Sequence, residues 1–223
     1  MLDPVTREGR YVADLWTFLL VAATGVAVVV LGLLAIATIR GTRRGAEDLP
    51  PQRHGNLALE FTFITGAAAL SAVIFGLGLW YQARIDDDPP TDLEVAVQGY
   101  QWGWRFEYPG GRVVASEPGR DPVLVLPVDQ TVTFHLRSDD VIHSFFVPAF
   151  AWKQDLIPGR PMDLTVTPDK EGRHVAHCAE LCGIDHARMN FAVDIVSADA
   201  FDRWLATGEG AGDGAVPDVA EPS

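Results

Sequence analysis

From residue 15 to residue 39 the chain carries no charged residue. About 25 residues at 1.5 Å each are enough to cross a hydrocarbon core of roughly 30 Å. A second apolar stretch, 57–81, has one charge, Glu60, near its start. A core helix of a soluble domain would be shorter and, unless buried on every side, would keep a polar stripe. Two membrane-spanning helices are therefore expected over 15–39 and 57–81, joined by a segment at 40–56. Inside lipid the backbone must satisfy its own hydrogen bonds, which leaves helix as the only open choice for both.

The arginines orient this hairpin. Arg40, Arg43, Arg44 and Arg53 sit in the connecting segment, against Arg7 and Arg10 before the first span. By the positive-inside tendency the connecting loop faces the cytoplasm. The N-terminal segment 1–14 and everything after residue 81 then lie outside. No signal peptide of the usual form precedes the first span, which is too long to be a signal core. Either one was removed or the hairpin inserts without it.

Charge is divided in the same way. The six basic and six acidic residues before Gln82 cancel, and from there on 11 basic residues face 24 acidic ones, so the whole net charge of −13 lies on the external part. Such a surface argues against nucleic acid and favours a basic partner. The Gly- and Asp-rich end, 206–223, reads as a disordered acidic tail.

Residues 82–205 read as one domain. LEVAVQGYQWGWRF, PVLVLPVDQTVTFHL, SFFVPAF, MDLTVTP and NFAVDIV are β-branched and aromatic runs punctuated by Pro and Gly. They predict an antiparallel sandwich or barrel of about a hundred residues. From the end of the first run onward Trp102, Trp104, Phe106 and Tyr108 alternate, which places all four on one face of a strand. A short helix is expected over 198–206, capped by Ser197.

The chemistry is concentrated in HCAELCGIDHARMNF, 177–191. It holds the only two cysteines, Cys178 and Cys182, followed by His186 and Met189, and His143 lies upstream in VIHSFFVP. Two thiols, two imidazoles and a thioether are soft ligands that favour copper over calcium or magnesium. Zinc also accepts Cys and His but has no use for Met. One thiolate, two imidazoles and a Met would suffice for a single copper; two thiolates bridging two coppers, each capped by one His, use the whole set. A plain disulfide is the ordinary alternative for two cysteines outside the cytoplasm.

Together with KQDLIPGR, QWGWRFEYPGG and the two apolar segments, this block resembles subunit II of the haem–copper cytochrome c oxidases over roughly residues 11–205. The resemblance implies an all-β, cupredoxin-like Greek-key sandwich preceded by a two-helix transmembrane hairpin. It also implies a binuclear copper centre, CuA, with Cys178 and Cys182 as bridging thiolates and His143 and His186 as imidazole ligands. Met189 and the backbone carbonyl of Glu180 would be weak axial ligands, and Phe145, Phe146 and Phe191 would exclude solvent.

Further roles follow from the resemblance alone. Trp102 matches the residue through which electrons enter. The Glu180 side chain matches one that reaches magnesium at the interface with the catalytic subunit. Glu60 matches a residue of a proton-uptake path, although Phe63 and Gly66 stand where Trp and Pro are common. Asp139, Asp140, Asp155 and Asp185 flank the ligand segments and would form a docking patch for a basic cytochrome c. His177 stands where Gln is frequent, while His135 and His174 read as ordinary residues.

The protein so implied is the copper-bearing subunit of a terminal oxidase in a bacterial plasma membrane. It would take single electrons from cytochrome c and pass them to the haem-bearing subunit I for reduction of oxygen to water with proton translocation. Neither span contains histidine, and there is no CxxCH for an attached haem. A quinol oxidase subunit would lack the Cys pair, a nitrous-oxide reductase needs a far longer chain, and an anchored copper carrier would bind one ion.

Overall fold

The computed structural model describes residues 3–42, 55–87 and 89–209. Arg43, Arg44, Arg53 and nearly all of the acidic tail lie outside these residues. The chain divides into two compact units, one of residues 14–84 and one of residues 1–13 with 85–223.

The first unit is helical. Helix α1 (Arg7–Thr42) and helix α2 (Leu57–Ile85) run further than the uncharged stretches inside them. Val21, Leu31, Leu34, Phe61, Phe63 and Phe75 are all exposed, which in water would be costly and in lipid is the required surface. Polar hydroxyls along the spans are turned inward: Thr24, Thr38 and Thr62 each donate to the carbonyl four residues back, at 2.7–2.9 Å. Asn56 caps α2 by accepting from the amides of Ala58 and Leu59 at 3.1 and 3.3 Å. Glu60 sits in that first turn.

The second unit is a sandwich of two five-stranded sheets. Its strands are β1 (Leu93–Tyr100), β2 (Gly103–Glu107), β3 (Val113–Ala115), β4 (Val123–Pro127) and β5 (Val132–Ser138), then β6 (His143–Val147), β7 (Trp152–Leu156), β8 (Met162–Val166), β9 (Gly172–Cys178) and β10 (Asn190–Val196). The sheet orders are β3-β2-β1-β5-β8 and β4-β10-β9-β6-β7. Period-2 patterning turns Val95 and Val97 of β1, Phe134 and Leu136 of β5, and Phe145 of β6 into a shared core with Trp104, Phe106 and Phe191. Each side chain so buried contributes about 1.5–3 kcal/mol.

Three sequence-based expectations need correction. The sheets are mixed, because β1 runs parallel to β5 and β10 parallel to β4; these pairs come from crossovers between sheets, which local pattern does not report. The run 93–106 is two antiparallel strands with a turn at Gln101 and Trp102. The alternation therefore breaks there: Trp104, Phe106 and Tyr108 are core, whereas Trp102 is 37% exposed. Helix α3 (Ala198–Thr207) follows Ser197, but the serine side chain makes no cap hydrogen bond.

No local pattern signals that the N-terminal segment is sewn onto the sandwich. Val5 N–H donates to Ala149 O and Val5 O accepts from Asp169 N–H, at 2.8 and 2.9 Å. Arg7 N–H donates to Thr167 O at 3.0 Å, and the Thr167 amide donates to the buried carboxylate of Glu8 at 2.8 Å. Arg10 pairs with Asp169 and Lys170 with Asp3. A Cβ on Gly9 would collide with the Phe150 carbonyl oxygen and come within 2.8 Å of Pro4 Cβ. Gly9→Ala is therefore expected to cost about 1–3 kcal/mol of stability. Amide exchange in the full chain checks this: Val5 and Arg7 lose protection in the variant while the α2 amides are unchanged.

Candidate metal centre

The pairing of β9 with its two neighbours builds the site. Cys178 ends β9, opposite Phe145 of β6, two residues beyond His143. On the other side β10 begins at Asn190, opposite His177. The loop from Cys178 to Met189 thus leaves one strand and returns on the next, closed by the Cys178 amide donating to Met189 O at 3.0 Å.

Around this closure the soft atoms converge. The two sulfurs stand 3.9 Å apart, and both cysteines are free. His143 Nδ1 is 3.9 Å from Cys178 Sγ, while His186 Nδ1 and Met189 Sδ lie 3.6 and 3.7 Å from Cys182 Sγ. The Glu180 carbonyl oxygen is 3.3 Å from Cys178 Sγ. His143, Cys178 and Cys182 form a buried group whose ligand atoms lie within 4.8 Å of one another. Metal–sulfur bonds of about 2.3 Å can span such gaps, and the donor set is one that suits copper. The residues fit a soft-metal centre.

The electrostatics point the same way. Burial alone would raise the Cys178 thiol, but hydrogen bonds with His143 and with the backbone of Glu180 and Ser144 outweigh it and lower the pKa. Cys182 goes the other way, raised by burial and then by the neighbouring Cys178 charge. One thiolate beside another is disfavoured here, a cost that a bound cation would offset.

The surroundings fix the ligands. Asp140 Oδ1 lies 2.9 Å from His143 Nε2, turning Nδ1 toward the sulfurs. Burial opposes the Asp140 charge, but bonds from His143 and from the amides of Val141 and Gln101 outweigh it and lower its pKa. Gly99 leaves room for the imidazole, since a Cβ there would be 3.2 Å from three His143 carbons. Trp104 donates its indole N–H to Met189 O at 3.3 Å, and Phe145 and Phe191 stack with centroids 5.0 Å apart below the site. Phe146 instead packs edge-on against His177.

The four aspartates expected to form one patch have different surroundings. Asp140 is engaged with His143, and Asp155 accepts from Ser144 Oγ at 2.7 Å and from Lys153 at 3.3 Å. Asp139 accepts from Gln98, while Asp185 opens the short turn at His186–Arg188. The Glu180 carboxylate is 2.8 Å from Lys153 Nζ, whose pKa this bond raises. Sequence reasoning missed the role of Asp140, although its place three residues before a ligand histidine is a usable signal. It missed Gly99, Gln101 and Lys153 altogether.

Two lipid-compatible helices and a β-sandwich with a Cys–Cys–His–Met cluster define a membrane-anchored protein with a candidate soft-metal site. The sequence profile of the cytochrome c oxidase subunit II periplasmic domain matches residues 93–196. A probable cytochrome c oxidase subunit 2 of Streptomyces avermitilis is 34% identical over 92% of this chain and 77% of its own length. The cytochrome c oxidase subunit 2 of Cereibacter sphaeroides is 30% identical over 93% of this chain and 78% of its own. The crystal structure of the periplasmic domain of CoxB from Bradyrhizobium japonicum, 34% identical, covers 53% of this chain and 94% of that one with a TM-score of 0.49. The chain belongs to the cytochrome c oxidase subunit II family, and is a membrane protein with an extracytoplasmic domain.

Removing the Asp140 carboxylate should loosen His143 and lower copper affinity by about 10–100-fold, the usual cost of losing a group that orients a metal-bound histidine. Titration of Asp140→Ala against a chelator of known affinity measures this, with Asp139→Ala as the control that stays at the parent value.

Proposed function

We propose that the chain is the electron-accepting subunit of its oxidase, with a binuclear copper centre held by Cys178, Cys182, His143, His186, Met189 and the Glu180 carbonyl. The observation that carries this reading is the convergence of the other four donors on the two adjacent cysteine sulfurs. A CuA centre held by these residues would supply one-electron chemistry, by which single electrons from cytochrome c would reach haem in the catalytic subunit for reduction of oxygen to water with proton translocation.

The chain's own residues set the conditions for that chemistry. Strands β6, β9 and β10 hold the ligands in fixed register, so little needs to rearrange when charge changes. Trp104, Phe145 and Phe191 keep water from the buried side. Trp102, half exposed beside the ligand loop, offers a π-system at the surface through which electrons enter. Asp139 and Asp185 attract a basic cytochrome c, and Asp140 and Asp155 add to the same field from their bonded positions. Glu180 would take magnesium at the subunit interface only by exchanging Lys153 for it.

The layout has the N-terminal segment and the sandwich outside a bacterial plasma membrane, the loop at 40–56 inside, and Glu60 near the inner end of α2 as a proton-path residue. The bonds between Val5–Glu8 and Ala149–Asp169 support it, since they require both segments on one side.

Elemental analysis of the copper-loaded chain should give two coppers, and Cys178→Ser and Cys182→Ser should each lose the delocalised mixed-valence signal. One copper in the parent chain would favour an anchored copper carrier. Oxidation of a basic cytochrome c should slow as salt rises from about 10 to 200 mM, where the Debye length falls from roughly 30 Å to below 10 Å. Glu60→Gln should lower turnover of the assembled oxidase while copper reduction by cytochrome c stays fast; equal turnover would remove Glu60 from the proton path.

A further inference from the structure

One residue at the tip of the β1–β2 hairpin touches both ligand-bearing segments. The Gln101 backbone N–H donates to Asp140 Oδ2 at 2.7 Å, and its Nε2 donates to the Cys182 carbonyl at 2.7 Å. Trp102 Nε1 donates to that same carbonyl at 3.2 Å. A carbonyl oxygen has two lone pairs and accepts both.

Gly183 makes the approach possible. Its φ of +128° is a conformation that L side chains rarely adopt, and a Cβ there would be 3.0 Å from Trp102 Cζ2 and Nε1 and 3.2 Å from Gln101 Nε2. Trp102 lies on a turn, outside the aromatic core that fixes Trp104. Its indole is thus placed by the carbonyl of a ligand cysteine, and that carbonyl is placed in turn by the shorter bond from Gln101.

We propose that Gln101 is a positioning residue for electron uptake: it clamps the hairpin tip to the Cys182 carbonyl and so holds the Trp102 indole against the ligand backbone. The proposal rests on the reading of Trp102 as the point where electrons enter. Displacing a reacting group by about 1 Å can cost up to a hundredfold in rate, so a loosened indole has a measurable effect.

The test uses the full chain in the assembled oxidase. Gln101→Met keeps side-chain length and the backbone bond to Asp140 but removes the Nε2 donor; Gln101→Asn keeps the amide but is one methylene too short. Both should retain two coppers and the parent dependence on cytochrome c concentration, while the limiting rate of copper reduction falls about tenfold. The double variant Gln101→Met with Trp102→Phe should be no slower than Trp102→Phe alone, because the two act in series.

A readout independent of turnover is solvent exchange of the Trp102 indole proton in the metal-free full chain, followed by NMR on ¹⁵N-tryptophan and assigned by its loss in Trp102→Phe. Gln101→Met should speed that exchange several-fold. Unchanged exchange, or further slowing by Gln101→Met in the Trp102→Phe background, overturns the positioning role while leaving Trp102 in place. A parent rate in Trp102→Phe overturns both.

Discussion

The antiparallel pairing of β9 with β10 is the constraint on which the rest depends. It sets the last residue of one strand beside the first residues of the next, so that Cys178 and Met189 share a backbone hydrogen bond across the base of the ligand loop. Pairing of β6 with the other side of β9 then brings His143 from a distant segment to the same sulfur. A one-residue slip in either register would turn these side chains to the opposite face. The rigidity of the centre is therefore a property of the sheet, and the loop inherits it.

That sheet can remain rigid because the chain keeps its two solvents apart. The helices expose apolar surface and bond their threonine hydroxyls to their own carbonyls, while the sandwich carries the acidic excess. The metal centre belongs to the sandwich. Its ligands are buried among aromatics on one side, yet Leu181 and Ile184 of the same loop are 81% and 89% exposed. A soluble monomer has little reason to present such residues beside a metal loop, whereas a subunit of an oxidase complex has partners to cover them.

Much of this was legible in the sequence, for identifiable reasons. Period-2 runs and two long apolar stretches are local signals, and they gave the sandwich and the helices. Cys178, Cys182, His186 and Met189 fall within one loop, so their convergence needs no knowledge of the fold. The alternation put Trp102 on the face of Trp104 and Phe106 because Q-W-G-W continues that pattern through what is a turn. The parallel pairs β1–β5 and β4–β10 depend on crossovers between sheets, which residue spacing does not encode. Asp140 looked like a surface charge because its partner on Gln101 is a backbone amide 39 residues away.

The attachment of residues 3–10 to the sandwich bears on the order in which the molecule is completed. Thr6 reaches Phe150 across 144 residues of sequence, and the segment's other backbone partners, Ala149, Thr167 and Asp169, are also made late in synthesis. Residues 3–10 are made before these partners and can dock only once that part of the later domain has formed. Closing so long a loop is entropically costly and slow. Until this docking occurs the Glu8 carboxylate, buried in the folded protein, is an open, hydrated charge.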